Sequence, residues 1–200
     1  MTIPCLATST NFDEDLHDVL TSLSPSQREY VLTRLEPVLL PPLAGQWRTF
    51  AHAHQRPPHL ANDGGPWTTW LLIGGRGAGK TRAGAEWVRG MVQGEGGSSA
   101  LRIALVGETF ADVRDVMIEG ESGLLAVHPF YEKPQWSRSL RKVEWANGAI
   151  AQAFSAEEPD ALRGPQFHAA WADELAKWRH AEATFDMLQF GLRLGARAPP

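Results

Sequence analysis

Cysteine is nearly missing: Cys5 is the single one in 200 residues. A lone thiol excludes an internal disulfide and any multi-cysteine metal cage, and it favours a reducing compartment. Long apolar runs are missing too, since none approaches the ~20 residues that span a bilayer. The start of the chain, residues 1–11, lacks a basic stretch followed by an apolar one, so no secretory signal is expected there. A cytoplasmic protein without a membrane partner is the expectation. A basic excess is also absent: 19 Lys and Arg stand against 23 Asp and Glu, for a net charge of −4. This excludes a protein that coats nucleic acid by bulk charge. Any such contact must come from a local patch or from assembly.

What remains is ordinary globular material, 43% hydrophobic and 21% charged, in a chain long enough for a real core. Leu16, Val19, Leu20 and Leu23 recur at helical spacing behind Asp13, Glu14 and Asp15, which suit a helix N-terminus. A second helix is marked by Ser24 as N-cap, Pro25 at its first position and Gln27 completing a capping box. Pro37, Pro41 and Pro42 end it. Residues 1–45 therefore read as an N-terminal helical extension, and 46–200 as the main domain.

In that domain, Trp67 to Ile73 predicts a short buried strand and Thr81 to Gln93 a helix. Leu101 to Val106 predicts the next strand. Strand, helix and strand at this spacing form a βαβ unit and imply an α/β fold with a parallel sheet. Asp112 to Ile118 predicts a helix. Asn147-Gly148 predicts a hairpin turn between Val143–Trp145 and Ala149–Phe154. Phe167 to Ala172 predicts a further strand, and His180 to Leu194 an amphipathic helix.

Between the first strand and helix lies Gly74, Gly75, Arg76, Gly77, Ala78, Gly79, Lys80, Thr81, which matches G-x-x-x-x-G-K-[ST] in full. Small residues let backbone N–H groups turn inward around phosphate oxygens. The following helix aims its positive end at the same anion. Lys80 supplies charge to the outer phosphates, and the Thr81 hydroxyl suits Mg²⁺. The motif predicts ATP and Mg²⁺ as ligands.

Asp173 and Glu174 follow the run ending at Ala172. An acid at the carboxyl edge of a buried strand reaches a Mg²⁺ held by Thr81. A second acid beside it polarises a water for attack on the γ-phosphate. Asp173 is thus the second metal ligand and Glu174 the catalytic carboxylate.

Three segments resemble one family. Residues 74–89, GGRGAGKTRAGAEWVR, resemble the Walker A region of large terminase subunits, the DNA-packaging motors of tailed phages and related gene transfer agents. Residues 102–116, RIALVGETFADVRDV, resemble the next strand and helix. Residues 154–175, FSAEEPDALRGPQFHAAWADEL, resemble the approach to Walker B. The resemblance implies a P-loop NTPase domain of RecA-like (ASCE) type, a parallel sheet flanked by helices. It also implies double-stranded DNA, a portal protein and a small terminase subunit as partners. A ring of subunits forms on the capsid, with a monomer expected in isolation. Family members continue into a coupling motif and a nuclease domain, so a truncated, slow ATPase without DNA cleavage is expected of this chain.

Three further residues carry over by the resemblance. Gln55 matches a glutamine that reads adenine, a task suited to a group that both donates and accepts. Arg76 resembles a loop arginine beside the γ-phosphate, and Arg163 an arginine able to reach a neighbour's nucleotide in trans. Other readings stay open at this point: another P-loop translocase such as a helicase, or a nucleotide-gated assembly module with little turnover. Trp67, Trp70, Trp87 and Trp171 read as packing residues rather than base-stacking ones. Arg138, Arg141 and Lys142 form a basic cluster that reads equally as a DNA contact or a solvated face.

Overall fold

The computed structural model describes residues 19–20, 22–34, 47–93 and 101–194. The expectations for Asp13 to Leu16 and for Pro37 to Pro42 lie outside the described residues. The chain divides into two compact units at Arg56–Pro57.

In the first unit, helix α1 spans Pro25–Arg34. Its capping box forms as the sequence predicts: Gln27 N donates to Ser24 Oγ (3.3 Å), and Ser24 N donates to Gln27 Oε1 (3.0 Å). Arg28 ties this helix to the preceding turn by donating to Leu20 O at 2.8 Å. A short helix α2, Trp47–Phe50, is followed by a 3₁₀ turn, Ala53–Gln55.

The second unit holds a five-stranded sheet. Its strands are β1 (Arg102–Gly107), β2 (Gln135–Ser137), β3 (Lys142–Glu144), β4 (Ile150–Ser155) and β5 (Ala169–Ala172), in the order β2-β3-β4-β1-β5. Strand β1 pairs in parallel with β4 and β5. It is a run of six residues of which only Arg102 is exposed, as a strand covered on both faces must be. Strands β2 and β3 join antiparallel, so the sheet is mixed and the expected parallel sheet is only its β4-β1-β5 half. The physical reason is the Asn147-Gly148 turn. Gly148 takes φ +84° there, and the tight return it permits sets β3 antiparallel to β4.

A second expectation is corrected. Trp67 to Ile73 forms no strand, and Leu71 and Ile73 are 75% and 84% exposed. The run has the apolar character of a strand but pairs with none of the five.

Helices cover both faces of the sheet. Helix α3, Lys80–Gln93, packs Ala85, Val88 and Val92 with Ile103 and Leu105 of β1. The same core receives Val113, Met117 and Ile118 from the segment after β1. That segment opens as a one-turn helix α4, Phe110–Asp112, and widens into a π-helix over Val113–Ile118, where Glu119 N reaches Arg114 O (2.8 Å). Helix α5 (Leu124–Val127) completes this layer. On the other face Ala104 and Val106 meet Phe154, Phe167, Trp178 and Leu188, the last carried by helix α6, Ala181–Gly191. Alternation along β1 thus feeds two cores.

Candidate functional site

Three parallel strands end together. Val106 lies opposite Ala172, and Gly107 opposite Ser155. Asp173 N donates to Val106 O at 2.9 Å, which holds the residue after β5 at the carboxyl edge of β1. In open α/β sheets this edge is where ligands bind. A cavity of about 720 Å³ opens there. Residues 76–81 line one side of it, and Asp173, Glu174 and Lys177 another.

The glycine-rich loop turns into α3 through Gly77 (φ +77°) and Gly79 (φ +73°), left-handed settings that favour glycine. The Lys80 ammonium folds back over the loop, donating to Gly74 O (2.7 Å) and Gly75 O (2.9 Å). Of the candidate residues, Arg76, Gly77, Ala78, Gly79, Lys80, Thr81, Asp173 and Glu174 meet at this one cavity.

The acidic pair is built unevenly. Asp173 is half-buried, and loss of solvent together with the Glu174 charge pushes its carboxyl above the usual range, against the pull of Lys80 and Lys177. Its carbonyl accepts from Trp178 Nε1 at 3.0 Å. Glu174 takes the left-handed region (φ 48°, ψ 42°), a setting that bulky residues adopt only under constraint. Here the constraint is the 3₁₀ turn Leu175–Lys177, closed by Lys177 N donating to Glu174 O at 2.8 Å. The same turn brings the Lys177 ammonium onto the Glu174 carboxylate as an ion pair.

Arg163 lines a different cavity, of about 360 Å³, with Pro165, Met187, Phe190 and Arg193. Gln55 belongs to the first unit. It is buried there, and its Oε1 accepts from His52 N (2.9 Å) to cap the 3₁₀ turn. The basic cluster has partners of its own. Arg138 holds Glu119 through two hydrogen bonds (2.8 and 2.7 Å), the Arg141 guanidinium lies over the Phe110 ring at 4.5 Å from its centroid, and Lys142 pairs with Glu144 at 3.4 Å.

Sequence reasoning missed several cavity residues. Glu108 lies just past β1, where its carboxylate accepts Arg179 N (3.2 Å to each oxygen). Asp112, Asp115 and Glu121 line the far wall. Lys177 carried one readable signal, its position three residues after Glu174, which a single helical turn brings alongside.

The family model described as "Terminase large subunit, T4likevirus-type, N-terminal" matches residues 71–199. No curated protein matches the chain.

Proposed function

Over residues 71–199 this chain belongs to the T4likevirus-type large terminase subunit N-terminal family, and from that membership we propose that it is the ATPase module of a motor that packages double-stranded DNA. The observation that carries the reading is one cavity lined both by residues 76–81 and by Asp173 and Glu174, far apart in the sequence.

The residues fit a magnesium nucleotide. Lys80 is held by two backbone carbonyls, and phosphate oxygens bind an ammonium more strongly than neutral carbonyls do. Thr81 and Asp173 offer a hydroxyl and a carboxylate. Mg²⁺ is commonly held by one or two such groups with the rest of its shell from phosphate and water. When bound, Mg²⁺ neutralises phosphate charge. Glu174 orients the attacking water and takes its proton. Arg76, on the same cavity, stabilises charge in cis. Arg163, on its separate cavity, serves a neighbouring subunit's nucleotide in a ring. The portal protein and the small terminase subunit are the partners this reading assigns. The basic cluster's internal pairings favour a solvated face over a DNA contact there.

The test is titration of a non-hydrolysable ATP analogue with and without Mg²⁺. Mg²⁺ should tighten binding by about tenfold or more, ~1.4 kcal/mol, and Asp173→Asn should remove most of that gain. Equal binding with and without Mg²⁺ would contradict the proposal.

A further inference from the structure

Glu174 and Lys177 form an ion pair inside the cavity that also holds Arg76 and Lys80. The ammonium engages one oxygen of the Glu174 carboxylate, Oε2, which fixes the direction the carboxylate faces and draws charge from it, weakening it as a proton acceptor. The pairing is built in by the backbone: Glu174 sits in the left-handed region and Lys177 closes the turn onto its carbonyl. The two side chains are therefore presented to each other on one short turn.

Resting on the nucleotide reading above, we propose that Lys177 senses the terminal phosphate of a bound triphosphate and, by moving to it, releases Glu174. Lys177 is then a positioning residue, acting through Glu174. The chemistry is an exchange of anions. A terminal phosphate carries more charge and more acceptor oxygens than a carboxylate, so it competes for the ammonium. A diphosphate lacks that group and leaves the pair intact. Lys80 and Arg76 line the same cavity and are left in place, so the change in preference on removing Lys177 reads the contribution of Lys177 alone. Lys177 is free to make the exchange: its side chain is 65% exposed, and the ion pair to Glu174 is the contact it would give up.

The experiment measures the affinities of this chain for ADP and for a non-hydrolysable ATP analogue, both with Mg²⁺. The parent should prefer the triphosphate by about tenfold or more, the scale of one charge-assisted contact. Lys177→Ala should lose most of that preference while holding ADP as the parent does. Lys177→Arg should keep it. Glu174→Gln should tighten the analogue and not ADP, because it weakens the competing partner of Lys177. Truncating so exposed a side chain leaves the core untouched, and unchanged ADP affinity certifies a folded site. A parent without triphosphate preference overturns the inference. So does a Lys177→Ala chain that keeps the parent's preference, or one that weakens both nucleotides equally. A parent that binds neither nucleotide overturns the nucleotide reading as well, whereas ADP binding with an unmoved preference removes the role of Lys177 alone.

Discussion

Gly84 of α3 lies directly against the indole of Trp171 in β5: a Cβ at residue 84 would come within 2.4 Å of Trp171 Cε2 and 2.6 Å of Nε1. The helix begins at Lys80 and Thr81, and the strand delivers Asp173. The contact therefore fixes the spacing between the phosphate side and the acidic side of the cavity.

Gly84→Ala should lower stability by about 1–3 kcal/mol, the usual penalty for overpacking. The sign is informative, because alanine in a helix otherwise gains ~1 kcal/mol over glycine. Urea unfolding measures it, and Trp171→Phe in the same chain should recover part of the loss. A Gly84→Ala chain more stable than the parent would show that the helix and strand have slack between them.

Which parts were legible follows from what each residue can signal alone. The run ending at Val106 announced β1 because the unbroken apolar stretch Ile103 to Val106 has few other uses, and Asn147-Gly148 announced its hairpin through turn chemistry. Trp67 to Ile73 misled because apolar character reports a wish for burial and not the presence of a neighbour to provide it. The π-helix at Val113–Ile118 was invisible, since its apolar residues also satisfy an α-helical period. In the site, the glycine-rich loop and the acidic pair were readable because their spacing is local. Glu108 and Asp112 were not, because only the shared carboxyl edge of β1 and β5 brings them to the same cavity.

Glu174→Gln should bind the triphosphate at least as tightly as the parent and abolish hydrolysis, lowering turnover by about 10²-fold or more. The amide is nearly isosteric but cannot take a proton from water. Phosphate release under saturating ATP checks this, and turnover at the parent rate would remove Glu174 from the chemistry.

His128 should make stability acid-sensitive. It is buried, its Nε2 accepts from Trp145 Nε1 (2.9 Å), and its Nδ1 consequently donates to Leu124 O (2.6 Å). Burial holds the imidazole below its ordinary value of 6.5. The unfolded chain therefore takes up this proton first as pH falls. The stability contribution is complete above about pH 6.5 and is lost as pH drops toward and through the folded value. Unfolding midpoints between about pH 8 and about pH 5 should fall less steeply in His128→Gln than in the parent. Parallel curves would mean that other groups carry the acid response.

Arg163→Ala should change little in the isolated chain and slow the assembled motor by ~10³-fold or more, the scale of a trans arginine. Mixing Arg163→Ala subunits with Glu174→Gln subunits should recover hydrolysis, since each supplies what its neighbour lacks. No recovery in rings shown to be mixed would leave Arg76 as the arginine that serves the site.

If residues 74–81 bind the phosphates of ATP, calorimetric titration of Lys80→Ala will register it. Lys80 brings its ammonium to the loop itself, so its loss should weaken binding of an ATP analogue with Mg²⁺ by about 10²-fold or abolish it, ~2.7 kcal/mol or more. An affinity equal to that of the parent would mean that residues 74–81 do not bind the phosphates.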